Sequence, residues 1–122
     1  MVLVDTSVWI NHLRDGERHL EKLLFDGEVV CHPHIIGELA CGNLKNRQEI
    51  ISLLQELPIS AVIEFQEFIH FVEQNQLGGK GIGFVDVHIL ASAKVDQIPL
   101  WTEDKRLKAL AAHLGLNYKR KI

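Results

Sequence analysis

Three short apolar segments constrain this chain more than any other feature in it. Val2-Leu3-Val4, Glu28-Val29-Val30-Cys31 and Pro99-Leu100-Trp101-Thr102 have the length and residue types of strands, and helical patterns separate them. Strands this poor in polar side chains belong in a sheet covered on both faces, and strands alternating with helices pair in parallel. The expected fold is α/β: residues 1–122 as one domain, with a mostly parallel central sheet flanked by helices on both faces. A chain of 122 residues buries a continuous core without needing disulfides or a structural metal. In such a sheet the ligand site lies at the carboxyl ends of the strands.

The helices follow from apolar spacing and from start and stop signals. Asp5-Thr6-Ser7 offers three N-cap candidates ahead of Val8 to Leu13. Arg18 to Phe25 carries Leu20, Leu23 and Leu24 on one side and stops at Asp26-Gly27. Pro33 opens a helix bearing Ile35, Ile36, Leu39 and Ala40, which Gly42-Asn43 ends. Ile50, Leu53, Leu54 and Leu57 mark the next, closed by Pro58, and Ile59 to Val62 is a short β-like stretch. Phe65, Phe68, Ile69 and Val72 form the stripe of a helix running to about Leu77, which leaves Phe71 as either a partner surface or a satellite core position. A glycine-rich loop, 78–83, leads into a helix from Phe84 to Val95. The last helix runs from Asp104 to Leu114, and Asn117-Tyr118-Lys119 offers a final strand.

Composition narrows the class. Apolar runs are far shorter than a membrane span, and the N-terminus lacks the basic region and cleavage site of a signal peptide, so the expected location is cytoplasmic. Cys31 and Cys41 are too few for a disulfide framework. Cys31-His32-Pro33-His34 with Cys41 matches no standard zinc spacing, and neighbouring strand side chains point to opposite faces; buried thiols and a surface histidine are the expectation. The net charge of −3 disfavours a nucleic-acid partner without excluding one. Basic residues gather at Arg14 and Arg18, at Lys45 and Arg47, at Lys105, Arg106 and Lys108, and at Lys119-Arg120-Lys121.

Four acids stand near helix starts that a parallel sheet would bring to one end of the molecule. Asp5 follows the first strand, Glu38 lies in the helix after the second, Asp86 opens the helix after the glycine loop, and Asp104 follows the Pro99–Thr102 strand. Asp5 and Asp104 could each be simple N-caps, and Glu38 could be a boundary residue beside an apolar stripe. Asp86 is harder to explain in that way: it shares a helix face with Leu90 and Ala93, where a carboxylate needs a compensating partner. Clustered carboxylates repel one another, and a divalent cation removes that cost. An all-oxygen donor set favours Mg²⁺ or Mn²⁺ over Zn²⁺, and phosphodiester hydrolysis is the chemistry such a site performs.

With these residues in place, the chain resembles the PIN-domain ribonucleases, in particular the VapC-type toxins of toxin–antitoxin pairs. Val2-Leu3-Val4-Asp5-Thr6-Ser7 resembles the family's opening strand and Asp-Thr/Ser-Ser, and Ile36-Gly37-Glu38-Leu39 its second acidic motif. Gly83-Phe84-Val85-Asp86, continuing into an alanine-rich helix, resembles the third, and Pro99-Leu100-Trp101-Thr102-Glu103-Asp104 the fourth. The resemblance implies a PIN-like fold and an acidic quartet of Asp5, Glu38, Asp86 and Asp104, with Asp5 and Asp86 as direct Mg²⁺ or Mn²⁺ ligands. It further implies that Thr6 and Thr102 orient carboxylates or water through their hydroxyls, that the substrate is RNA, that a VapB-like antitoxin inhibits the chain, and that it forms a homodimer. Glu103 stands beside Asp104 and competes for the fourth place.

Other readings fit less well. A receiver domain needs a phosphate-accepting aspartate on its middle strand, and Ile59-Ser60-Ala61-Val62 offers none. A haloacid-dehalogenase-like phosphatase needs Asp-x-Asp where this chain has Asp5-Thr6-Ser7, and Gly79-Lys80-Gly81 is not a P-loop. The remaining alternative is a non-catalytic α/β binding module whose acids only cap helices.

Overall fold

In the computed structural model, which describes residues 1–120, β1 (Val2–Val4) forms the centre of the sheet, with β2 (Val29–Val30) on one side and β3 (Leu100–Trp101) on the other. Both pairings are parallel: Val2 and Leu3 stand opposite Val29 and Val30, while Leu3 and Val4 stand opposite Leu100 and Trp101. Every residue of these strands is buried, which is why no polar residue interrupts them. Among the described residues seven helices cover the sheet: α1 (Thr6–Asp15), α2 (Arg18–Phe25), α3 (Pro33–Cys41), α4 (Arg47–Glu56), α5 (Phe65–Gln74), α6 (Phe84–Asp96) and α7 (Lys105–His113). Leu3, Leu20, Ile35, Ile89, Leu90, Leu100 and Leu107 are the largest apolar side chains with no exposure, and they join the helices to the strands in one core.

The expected fold is the one observed, with corrections at its margins. Ile59 to Val62 and Asn117 to Lys119 do not form full strands. Each contributes one parallel bridge, Cys31 with Ile59 and Leu100 with Asn117. Pro58 has no N–H to donate, Ile59 and Val62 are about half exposed, and such an edge is covered with little pairing. Helix α5 also sits in a different rotation from the one expected. Phe68 and Phe71 are buried and Ile69 and Val72 partly so, whereas Phe65 is 61% exposed. Phe71 is therefore a core residue. The helix stops at Gln74, and a turn through Gln76, with φ +54°, folds Leu77 back onto the core. At its start, Glu64 and Glu67 form a reciprocal capping box.

The expected pair of buried thiols and a surface histidine is also corrected. Cys31 is buried, but Cys41 at the end of α3 is exposed. His32 has no exposure at all. Of the basic groups, Arg14 pairs with Asp15 at 2.8 Å and Arg120 lies over the Trp101 ring, 5.2 Å from its centroid. Lys121 lies outside the described residues.

Candidate active site

Parallel pairing turns the carboxyl ends of β1, β2 and β3 to the same edge of the sheet, and the chain places acids there. Asp5 leaves β1 with its N–H still bonded to the Trp101 carbonyl of β3, at 2.9 Å. It occupies the N-cap position of α1, yet its side chain makes no cap bond. Its carboxylate is buried, and Oδ2 accepts from Thr102 Oγ1 at 2.8 Å and from Ser7 Oγ at 2.9 Å. Ser7 Oγ in turn accepts from the Glu103 N–H at 3.0 Å, and Thr102 Oγ1 from the Asp104 N–H at 3.1 Å. The two hydroxyls thus relay hydrogen bonds from the turn after β3 onto Asp5. Ser7 was not singled out from the sequence beyond its capping potential, because a hydroxyl in a first helical turn looks the same whichever partner it finds.

Glu38 stands exposed on α3, and its Oε1 accepts from Thr6 Oγ1 at 2.6 Å. Asp104 caps α7 outright, with Oδ1 accepting from the Leu107 N–H at 3.0 Å. Glu103 turns elsewhere: its Oε1 accepts from Trp101 Nε1 at 3.2 Å.

Asp86 lies in the first turn of α6, and Gly83 holds the cap position instead. No donor among the described residues reaches its carboxylate. Burial raises its pKa to about 6, and the charges of Asp5, Asp104 and Glu38 push in the same direction. These three acids, and not Glu103, share the electrostatic neighbourhood of Asp86. The loop ahead of it is tied to α7, since Arg106 Nη1 donates to the Gly81 carbonyl at 3.3 Å. Gly81 has φ +76°, a conformation that favours glycine, and a Cβ there would have to displace the flexible Arg106 guanidinium.

Beneath the site His32 joins two of the elements that carry acids. Its Nδ1 accepts from the His34 N–H at 3.0 Å and so caps α3, which leaves the proton on Nε2, 3.1 Å from Ser92 Oγ on α6. Burial, with His34 and His88 adding to it, lowers the His32 pKa to about 4. The imidazole is neutral wherever the protein functions near neutral pH.

The donor set suits a hard divalent cation. It consists of carboxylate oxygens, one of them half-buried, without a donor and repelled by three like charges, which is a defect that a cation repairs. Among the described residues no three histidine, cysteine or acidic side chains converge on a single point.

A family model, the PIN domain, matches residues 2–113 of the chain. The chain belongs to the PIN-domain family. Its relatives include Ribonuclease VapC32 from two strains of Mycobacterium tuberculosis, CDC 1551 / Oshkosh and ATCC 25618 / H37Rv. Each is 46% identical over 117 residues, covering 95% of this chain and 94% of the relative. The membership is thus of the VapC type, and the receiver and phosphatase readings fall with it.

Proposed function

We propose that this chain is an endoribonuclease, a VapC-like toxin that hydrolyses RNA phosphodiester bonds at the carboxylate site with Mg²⁺ or Mn²⁺. The observation that carries the reading is Asp86: a half-buried carboxylate with no donor among the described residues, whose pKa is raised by burial and by the charges of Asp5, Asp104 and Glu38. A capping-only role accounts for Asp104 but not for Asp86 or Asp5, neither of which makes a cap bond. The relatives named ribonucleases point to RNA as the substrate.

In this reading Asp5 and Asp86 hold the cation. When bound, it neutralises phosphate charge and makes an attacking water more acidic. The remaining residues prepare the site. Thr102 and Ser7 occupy Oδ2 of Asp5, which sets the rotation of that carboxylate and leaves Oδ1 without a partner among the described residues. Thr6 restrains Glu38, and Leu107 N–H restrains Asp104 while leaving its second oxygen available. In the same reading Glu38 and Asp104 orient water and accept its proton.

RNA cleavage is expected to require Mn²⁺ or Mg²⁺ and to cease in excess EDTA. Full cleavage in chelator, with added divalent ions making no difference, would refute the reading.

The chain is further proposed to form a cytoplasmic homodimer neutralised by a VapB-like antitoxin. No helix among the described residues is long and apolar enough to cross a membrane. Exposed Val95, which lines a groove of about 440 Å³ together with Ile63, Phe71 and Ala91, offers apolar surface for self-association, and Phe65 is exposed as well. Light scattering should give twice the chain mass at high micromolar concentration, and a monomer there would sink the dimer. Co-expression of the antitoxin should restore growth; unchanged growth inhibition would remove that partner.

A further inference from the structure

The aromatic residue at the start of α6 has no part in the chemistry above. Phe84 is 56% exposed although its ring is held from several sides. Phe68 lies 4.8 Å from it, His88 meets it edge-on at 4.6 Å, and the His34 imidazole runs nearly parallel, at 18° and 6.4 Å between centroids. Phe68 in turn stacks on His88 at 4.5 Å. A ring braced in this way loses little freedom when something flat covers its open face. It borders a groove of about 590 Å³ lined by Pro33, His34, Gly37, Glu38, Phe84 and Val85. Space above Gly37 is open, with nothing within 4 Å of where a Cβ would stand. Neither ring nitrogen of His34 has a hydrogen-bond partner among the described residues, so a flat donor or acceptor edge in the groove would find one.

The groove is continuous with the carboxylate site, because Glu38 belongs to both and Asp86 stands two residues beyond Phe84. Whatever occupies it lies beside Glu38. We propose that this groove is a nucleobase subsite, in which an unpaired base of single-stranded RNA next to the scissile phosphate stacks on Phe84 and presents its edge to His34. A base in a duplex is already stacked on both faces and has none to offer this ring. The inference rests on the nuclease reading.

Steady-state cleavage of a short single-stranded RNA with Mn²⁺ tests it, using the wild-type chain, Phe84→Leu and Phe84→Trp. Leucine keeps an apolar plug against Phe68 and His88 but removes the flat face; tryptophan enlarges it. Phe84→Leu should raise KM roughly ten-fold with kcat nearly unchanged, and Phe84→Trp should keep KM near wild type. An RNA with an abasic residue beside the cleavage position should raise the wild-type KM by a similar factor and add little to the effect of Phe84→Leu. Equal KM for wild type and Phe84→Leu on the intact RNA overturns the subsite while leaving the nuclease reading in place. No Mn²⁺-dependent cleavage by the wild type overturns the nuclease reading itself, and the subsite with it. Light scattering on Phe84→Leu separates a last outcome: conversion from dimer to monomer assigns the face to a second copy of the chain and overturns the subsite.

Discussion

Asp86→Asn should abolish Mn²⁺-dependent RNA cleavage and, in chelator, melt at a higher temperature than the wild type. Asparagine keeps the size of the side chain and removes the charge. Loss of partners that merely orient metal ligands costs about 10–100-fold in affinity or activity, so loss of a direct ligand should cost at least 100-fold. Stability should move the other way. The carboxyl of Asp86 has a pKa of about 6 in the folded protein, against an ordinary value near 3.8. Well below pH 3.8 both states are protonated there and no penalty exists. Between pH 4 and 6 the unfolded chain releases the proton first, so stability falls as pH rises; above 6 the whole penalty is present. Asparagine escapes it. Its advantage should be absent well below pH 3.8 and reach about 1–2 kcal/mol above pH 6, allowing for solvent screening of a half-exposed group. A folded Asp86→Asn protein that cleaves RNA at the wild-type rate would exclude the proposed mechanism. A melting advantage that grows toward acid would exclude the electrostatic account.

His32→Ala should be the more damaging substitution for folding. It removes the cap of α3, worth about 1 kcal/mol, and leaves the Ser92 hydroxyl buried without its partner, worth about 1–3 kcal/mol more. The vacated volume adds a cavity, so a loss of roughly 3 kcal/mol is expected at pH 7, read from the urea midpoint. Ser92→Ala should cost less, since it strands one N–H without opening the same void. The imidazole also shapes the acid response. Its pKa falls to about 4 in the folded state from 6.5, so its contribution is complete above pH 6.5 and is lost as pH drops toward 4. That loss runs against the relief felt by Asp86 over nearly the same interval. The wild type should therefore change little in stability between pH 4 and 6, and Asp86→Asn should lose stability there more steeply. An unchanged urea midpoint for His32→Ala would show that α3 and α6 are held by other contacts.

The central strands and most helix limits were legible because each depends on local chemistry. Val2 to Val4 has no polar residue to expose, Pro33 begins a helix, and Gly27, at φ +70°, follows the end of another. The rotation of α5 was not legible. Apolar residues at 65, 68, 69, 71 and 72 permit two overlapping stripes, and only packing against α6 selects the one that buries Phe71. His32 failed for a different reason. Alternation sends Cys31 and His32 to opposite faces, which means one inside and one outside only when a sheet has a wet face. This sheet is covered on both, so both residues are buried. The neighbourhood of Asp5, Glu38, Asp86 and Asp104 could be read because a parallel sheet gathers strand ends at one edge. The hydroxyl relay through Ser7 could not, since it depends on how the turn after β3 approaches α1.

A central β1 also sets the order in which the molecule can come into being. Val2 to Val4 need neighbours on both sides, and both neighbours lie later in the chain. Leu3 meets Val30 early, but it waits for Leu100 to close the sheet. Until then the ladder edge of β1 is open, and Asp5 lacks the Thr102 hydroxyl that orients it. At about 5–20 residues per second, a ribosome takes several seconds to make the stretch between those partners, and residues inside the exit tunnel lengthen the wait. Closing so long a loop is among the slow steps of folding. The growing chain thus carries Asp5 apart from Thr102 and Asp104 until β3 has been made, and the site assembles only after that strand pairs with β1.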